Sequence, residues 1–331
     1  MRPMPRSLPD GRRLGAHLPV AGGAVAAAER AHAIGARTLQ VFADNPTAWR
    51  RRAEPPNDLV AFRERLAALD VGPVAIHASY LINLAGPDDE FRERSVQVLA
   101  SELRAAPGFG ARFVNVHIGS HRLTGRDGGI ARVGEGVARV LAEVDAGSEA
   151  AVLALENSAG GGGGIGVSLD ELEAVVESIA SHGGDVARVA LCLDTAHLWA
   201  GGVAIGDDES VDALVDELDT RVGIERVAMI HLNDSKSALG SRLDRHQHLG
   251  AGEIGVPGLR RLLSHPRLAG VAYYLETPGM DEGYDAVNVA RAYAIAAGEP
   301  LEELPPEART MRGGRARGGP RASPDSPQSP G

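Results

Sequence analysis

FVNVH at residues 113–117 and VLALE at residues 152–156 each run through apolar residues and stop on a metal-ligand-type side chain, His117 and Glu156. The two end points lie 39 residues apart. A gap near forty is the length of one strand, one crossover helix and two loops. Outward from this pair, four more runs repeat the design: VAIH (74–77), ALCLD (190–194), VAMIH (227–231) and AYYLE (272–276). The six end points are separated by 40, 39, 38, 37 and 45 residues. Parallel strands covered on both faces read as apolar runs, and a (β/α) barrel places its chemistry at their carboxyl ends. RLGAH (13–17) and TLQVF (38–42) complete a set of eight. The expected fold is therefore α/β, a single (β/α)8 TIM barrel. Its rim receives His77, His117, Glu156, Asp194, His231 and Glu276.

The expected organisation is a flexible N-terminus at 1–12, a barrel domain at 13–300 and a disordered Pro/Gly/Arg-rich tail at 301–331. Between the first two strands, Gly23–Ile34 is Ala-rich and favours a helix, with Gly35 placed to cap it. Ser168 and Glu171 form a capping box, followed by Leu169, Leu172, Val175, Val176 and Ile179 at helical spacing. Asp88 and Asp89 start a further helix running to about Ala105. Segments 212–221 and 257–264 are the sixth and seventh crossover helices, the second opened by Pro257.

No window approaches the eighteen apolar residues of a membrane span, and no secretory signal opens the chain. Cys192 is the single cysteine and falls inside a buried strand, which excludes an internal disulfide and fits a cytoplasmic protein. The net charge of −10 argues against nucleic acid as a partner only weakly, because bound cations would reverse the local field at the rim. Of 34 basic residues, Lys236 is the only lysine. It stands five residues past His231, on the candidate active face, where a cation would meet phosphate.

Three more candidate ligands occur at short range. His197 follows Asp194 in LDTAH, and Asp244 and His246 lie two apart in LDRHQH, so in extended backbone both point to one side. Each residue alone has an ordinary reading: a strand-end His is more often hydrogen-bonded, and an Asp after a strand is commonly a helix N-cap. Six adjacent strands carrying such residues at one level are another matter, because unpaired acids at a barrel mouth are costly and metal ions remove that cost. Nitrogen and oxygen donors without thiolate suit zinc, or manganese or iron at some sites. His17 ends the first strand without a sequence partner, and His121 and His248 stand near enough to replace a neighbour. The glycine run 160–164 reads as a flexible loop without the lysine of a phosphate-binding loop.

GAHLPVAGG (15–23), IHASYLINLAGP (76–87), VNVHIGSH (114–121), LENSAGGG (155–162), CLDTAH (192–197), IHLNDSK (230–236), SRLDRH (241–246), LGAGEIG (249–255) and LETPG (275–279) together resemble the endonuclease IV family, zinc-dependent endonucleases that act at abasic sites in DNA. The resemblance runs in unbroken order from about residue 13 to 295. It implies a xylose-isomerase-like barrel holding three Zn2+ ions. His77, His117 and Glu156 would bind the first, with Glu156 bridging to a second completed by Asp194, His231 and Glu276. His197, Asp244 and His246 would hold the third. The implied reaction is hydrolysis of the phosphodiester 5′ to an abasic site in double-stranded DNA, leaving a 3′-hydroxyl and a 5′-deoxyribose phosphate, by a monomer. Glu156 and Glu276 are the catalytic candidates. Thr47 stands where the family shows arginine, which shifts the expected DNA contacts to Trp49, Tyr80, Leu81 and Lys236. Ile118 replaces a proline, Gly161 a glutamine, and Gln247-His248 a His-Ser pair.

A sugar isomerase or epimerase on the same barrel is the alternative, since Glu156, Asp194, His231 and Glu276 alone make a one-metal site. His77, His117, His197, Asp244 and His246 would then be surplus. A binding protein with a decayed site is the third reading, and the intact ligand set argues against it.

Overall fold

The structure is a computed structural model that describes residues 8–144, 147, 150–279 and 282–310. Eight parallel strands close into a barrel: β1 (Arg13–His17), β2 (Leu39–Val41), β3 (Val74–His77), β4 (Ala111–His117), β5 (Val152–Glu156), β6 (Val189–Asp194), β7 (Val227–His231) and β10 (Ala272–Leu275). β10 pairs with both β7 and β1, which closes the ring. Two short strands after β7, β8 (Asp234–Ser235) and β9 (His246–Gln247), form an antiparallel ribbon at the rim. Around the barrel run α1 (Ala24–Ala33), α2 (Leu59–Leu69), α3 (Asp89–Phe109), α4 (Arg126–Glu143), α5 (Leu169–Ser181), α6 (Thr195–Gly201), α7 (Asp208–Arg221), α8 (Val256–Ser264), α9 (Tyr284–Ala297) and α10 (Pro306–Thr310).

Side chains alternate along a strand, and the barrel turns that alternation into a plug and a ring. Ala75, Phe113, Ala154, Cys192, Met229, Ala272 and Tyr274 form a core of their own, separate from the large aliphatic shell under the helices. Two residues onward from these, on the same face, come His77, Asn115, Glu156, Asp194, His231 and Glu276. The polar ring is thus the continuation of an apolar plug, and each ligand-type residue faces inward because the residue two before it does. At Gly15 on β1 a Cβ would lie 1.8 Å from Thr38 O, so only glycine lets the β1 and β2 backbones approach there.

Helix starts follow their capping residues. Asp88 accepts from the Phe91 amide at 2.7 Å, and Ser168 from the Glu171 amide at 3.3 Å. The expected reciprocal arm of the second box is displaced: Glu171 Oε2 takes the Gly166 and Val167 amides at 2.9 and 3.0 Å. The described ends, residues 8–12 and 301–310, are packed where composition suggests loose chain, which corrects the expected flexible N-terminus over 8–12. Leu8 is buried, and Arg12 donates to the Leu263 and His265 carbonyls at the C-terminal end of α8. At the other end Leu304 and Ala308 are buried, and His248 Nε2–H donates to Ala308 O at 3.1 Å. Averaging over a Pro/Gly/Arg-rich segment hides two apolar residues four apart, so the expected tail from 301 is corrected through 310. Residues 1–7 and 311–331 lie outside the described residues.

Candidate metal centre

Glu156 stands at the centre of the rim. Its Oε2 lies 3.7 Å from His77 Nε2 and 3.6 Å from His117 Nε2, and its Oε1 lies 3.5 Å from His231 Nδ1. His231 Nδ1 is also 3.4 Å from Glu276 Oε2 and 3.9 Å from Asp194 Oδ2. On the far side, His246 Nε2 lies 3.4 Å from Asp194 Oδ2 and 3.2 Å from Asp244 Oδ1, while His197 Nε2 lies 3.3 Å from Asp244 Oδ2. All nine expected ligands therefore meet at one rim. Donor atoms within 4.8 Å of one another define three groups of nitrogen and oxygen donors, His77–His117–Glu156, Glu156–Asp194–His231–Glu276 and Asp194–His197–His246, beside a fourth in which the buried plug residue Cys192 joins Glu156 and His231. Of the three nitrogen and oxygen groups, Glu156 belongs to two, and so does Asp194.

These spacings suit metal ions. Two ligand bonds of about 2.0–2.1 Å at a tetrahedral angle place donor atoms roughly 3.3–3.4 Å apart. Glu156 Oε1, His231 Nδ1 and His246 Nε2 are buried without hydrogen-bond partners, although buried polar atoms are normally satisfied. Cations between them would satisfy all three.

In four of the five rings the other nitrogen is pinned, which sets the direction of the free one. His77 Nδ1–H donates to Ala78 O at 2.7 Å, His197 Nδ1–H to Asn157 O at 3.0 Å, and His246 Nδ1–H to Glu276 O at 2.8 Å. His231 Nε2–H donates to Gln40 Oε1 at 3.1 Å. The carboxylates are held too: Asn115 Nδ2–H donates to Glu156 Oε2 at 2.6 Å, and Asn233 Nδ2–H to Asp194 Oδ2 at 2.7 Å. Asp194 Oδ1 meanwhile accepts the His197 amide at 2.9 Å, so the ordinary N-cap reading holds while Oδ2 still faces His231 and His246. That cap starts α6, and α6 carries His197 back to the site.

Burial would raise Glu156 strongly, yet His117, His231 and His197 hold it well below the usual carboxylate range. Burial likewise opposes charge on Glu276, and His231 and His17 overcome it. His77 is pulled down to about 4, mainly by burial, and is neutral with a lone pair to offer.

Several residues of the site are not among the nine expected ligands. Gln40 on β2 accepts from His231 through Oε1 and donates to Glu276 Oε1 at 2.6 Å through Nε2. His17 finds its missing partner here, donating from Nδ1 to Glu276 Oε1 at 2.9 Å. Asn115, Asn157 and Asn233 stitch neighbouring strand ends together. Asn115 had one available signal, a polar residue two before His117 in an apolar run. Two other expectations settle differently. His248 turns away from the cluster to Asn288 and Ala308, and His246 is the one that faces Asp194 and Asp244. The glycine run is pinned, with the His121 amide donating to Gly163 O at 3.0 Å and Ser120 bridged to Gly164.

Gln40 gives a test of pinning. Gln40→Leu is expected to leave the barrel folded and weaken metal retention about 10–100-fold, because His231 and Glu276 lose their common restraint. Chelator competition checks this, and unchanged retention would show that the two ligands hold themselves.

Of the expected DNA contacts, Tyr80 is 43% exposed and sits at the mouth, its ring 5.3 Å from that of His77 and 6.2 Å from that of His117. Leu81 beside it is half-buried. Trp49 is half-buried and packs edge-on against Phe91 at 4.9 Å. Lys236 follows β8, its amide donating to Arg245 O at 2.8 Å across the ribbon. Thr47 is exposed and folds back on Asn45 Oδ1.

The sequence pattern of the xylose isomerase-like TIM barrel family matches residues 28–300. A probable endonuclease 4 of Chloroflexus aurantiacus is 38% identical over 287 residues, which cover 86% of this chain and 99% of that protein. The crystal structure of endonuclease IV from Thermus thermophilus is 39% identical and superposes with a TM-score of 0.74 over 86% of this chain and 99% of its own. A D-tagatose 3-epimerase-like protein superposes at a TM-score of 0.62 with 17% identity over 86% of this chain and 98% of its own, a likeness of fold alone.

Proposed function

Because this chain belongs to the endonuclease IV family of xylose isomerase-like barrels, we propose that it is a metal-dependent endonuclease of DNA repair. Its substrate is double-stranded DNA containing abasic sites, cut 5′ to the lesion to leave a 3′-hydroxyl and a 5′-deoxyribose phosphate. One observation carries this reading: His77, His117, His197, Asp244 and His246 converge on the same rim as Glu156, Asp194, His231 and Glu276. A one-metal sugar isomerase would use only the last four. Three donor groups sharing Glu156 and Asp194 suit three Zn2+ ions, with Mn2+ or Fe2+ as substitutes at some positions.

When bound, such ions neutralise charge building on the phosphate and lower the pKa of a water. The chain's own residues set the geometry. Glu156 and Asp194 hold neighbouring donor groups together as shared carboxylates. Glu276 stays ionised, with Oε1 occupied by His17 and Gln40 and Oε2 turned to the cluster, where it orients the attacking water. Tyr80, Leu81 and Lys236 line the approach of the DNA, and Trp49 supports the loop beside them. Among the described residues no helix is long and apolar enough to cross a membrane. A cytoplasmic monomer acting on exposed DNA is the form proposed.

The expected result is about three zinc-type ions per chain and nicking of an abasic duplex without added magnesium. Elemental analysis beside a cleavage assay tests it. One exchangeable metal together with epimerase activity would overturn it in favour of the isomerase.

A further inference from the structure

Beneath the rim lies a buried acid that the metal centre does not use. Glu102 projects from α3, and its side chain is 4% exposed. Its Oε1 accepts from Arg51 Nη1–H at 3.0 Å and its Oε2 from the Ser79 amide at 3.1 Å. Arg51 belongs to the loop after β2, Ser79 to the loop after β3. The same loops meet again above the carboxylate. Pro46 O accepts from Ser79 Oγ–H at 2.7 Å and from the Tyr80 amide at 3.1 Å, and Arg51 Nη2–H reaches Asn45 O at 3.1 Å. The polar ring Glu102–Arg51–Asn45–Pro46–Ser79 is closed. Burial pushes the Glu102 carboxyl up to about 7, against the pull of Arg51 and the Ser79 amide.

A buried carboxylate on an outer helix is a poor way to stabilise a barrel, since an apolar residue of similar size serves as well. What it does here is bind two loops into one edge. That edge ends in Tyr80, which faces the rings of Phe42, His77 and His117. Resting on the nuclease reading above, we propose that Glu102 is a positioning residue for lesion recognition. With Arg51 and the Ser79 amide, it holds the loops after β2 and β3 as one preformed edge presenting Tyr80 and Leu81 to the DNA. A preformed edge avoids the ordering cost otherwise met on binding.

The test uses the full-length, metal-loaded protein, Glu102→Gln, Arg51→Met and the double variant, which leaves no buried charge unpaired. Each single change is expected to raise KM for an abasic duplex about tenfold, with kcat within about twofold and metal content unchanged. The double variant is expected to be no worse than the weaker single, since the pair acts as one unit. An unchanged KM in a folded single variant, additive effects, or a fall in kcat with loss of metal would overturn the positioning role. Failure of the unaltered protein to cut the abasic duplex would instead overturn the nuclease reading.

Discussion

Glu156→Gln is expected to empty two of the three donor groups and slow abasic-site cleavage on the order of 10³-fold or more. Glu156 is the only side chain common to the group of His77 and His117 and that of Asp194, His231 and Glu276. An amide cannot act as a bridging anion, and its NH2 would point a donor at His77 and His117 or at His231. Asp194, His197 and His246 form a group without Glu156, so about one ion per chain should remain. Elemental analysis with single-turnover kinetics reads both effects. Retention of the full complement at the unaltered rate would show that Glu156 bridges nothing.

Chelation is expected to lower the melting temperature on the order of 10 °C, with a pH dependence of definite sign. Burial opposes charge on His197, His231 and His246. Asp194 and Asp244 around the first and third, and Cys192, Glu276 and Glu156 around the second, nonetheless raise all three, His246 to about 10. A histidine whose folded pKa is raised stabilises the metal-free fold below its unfolded value of about 6.5. That contribution is lost as pH climbs through the folded pKa. Metal binding must displace the same protons, so metal affinity falls as pH drops. The two forms thus respond in opposite directions. The gap in melting temperature between metal-loaded and chelated protein should widen from about pH 6 to about pH 8.5. A gap that stays level or narrows would mean that these rings carry no protons without metal.

The barrel is legible from the chain to within a few residues. Six runs match the strands they announce at their carboxyl ends, TLQVF overshoots β2 by one residue, and Glu276 falls one residue past β10 because its side chain, not its backbone pairing, belongs to the rim. The helices are legible where caps announce them, as at Asp88 and Ser168. α4 is not announced, because Gly128, Gly129, Gly134 and Gly136 depress its helix propensity. The reason for one of them appears only in packing: a Cβ at Gly134 would lie 2.1 Å from Ser178 Oγ on α5. At the site, all nine ligand-type residues are readable and Asn115 leaves one trace in FVNVH, whereas the roles of Gln40, Asn157 and Asn233 are not. Amides have no spacing rule, and their value lies in which carboxylate or ring they reach across the barrel.

Sequence by itself determined the repeat length, the inward face of each strand and the set of donor side chains. These depend on local periodicity, and a period of two cannot place Glu156 inward without placing Ala154 there as well. Only the tertiary structure decided how donors are shared, where His248 turns instead, and how Glu102 joins two loops. Those outcomes rest on contacts between residues far apart in the chain, and closure of the barrel is what brings them within reach.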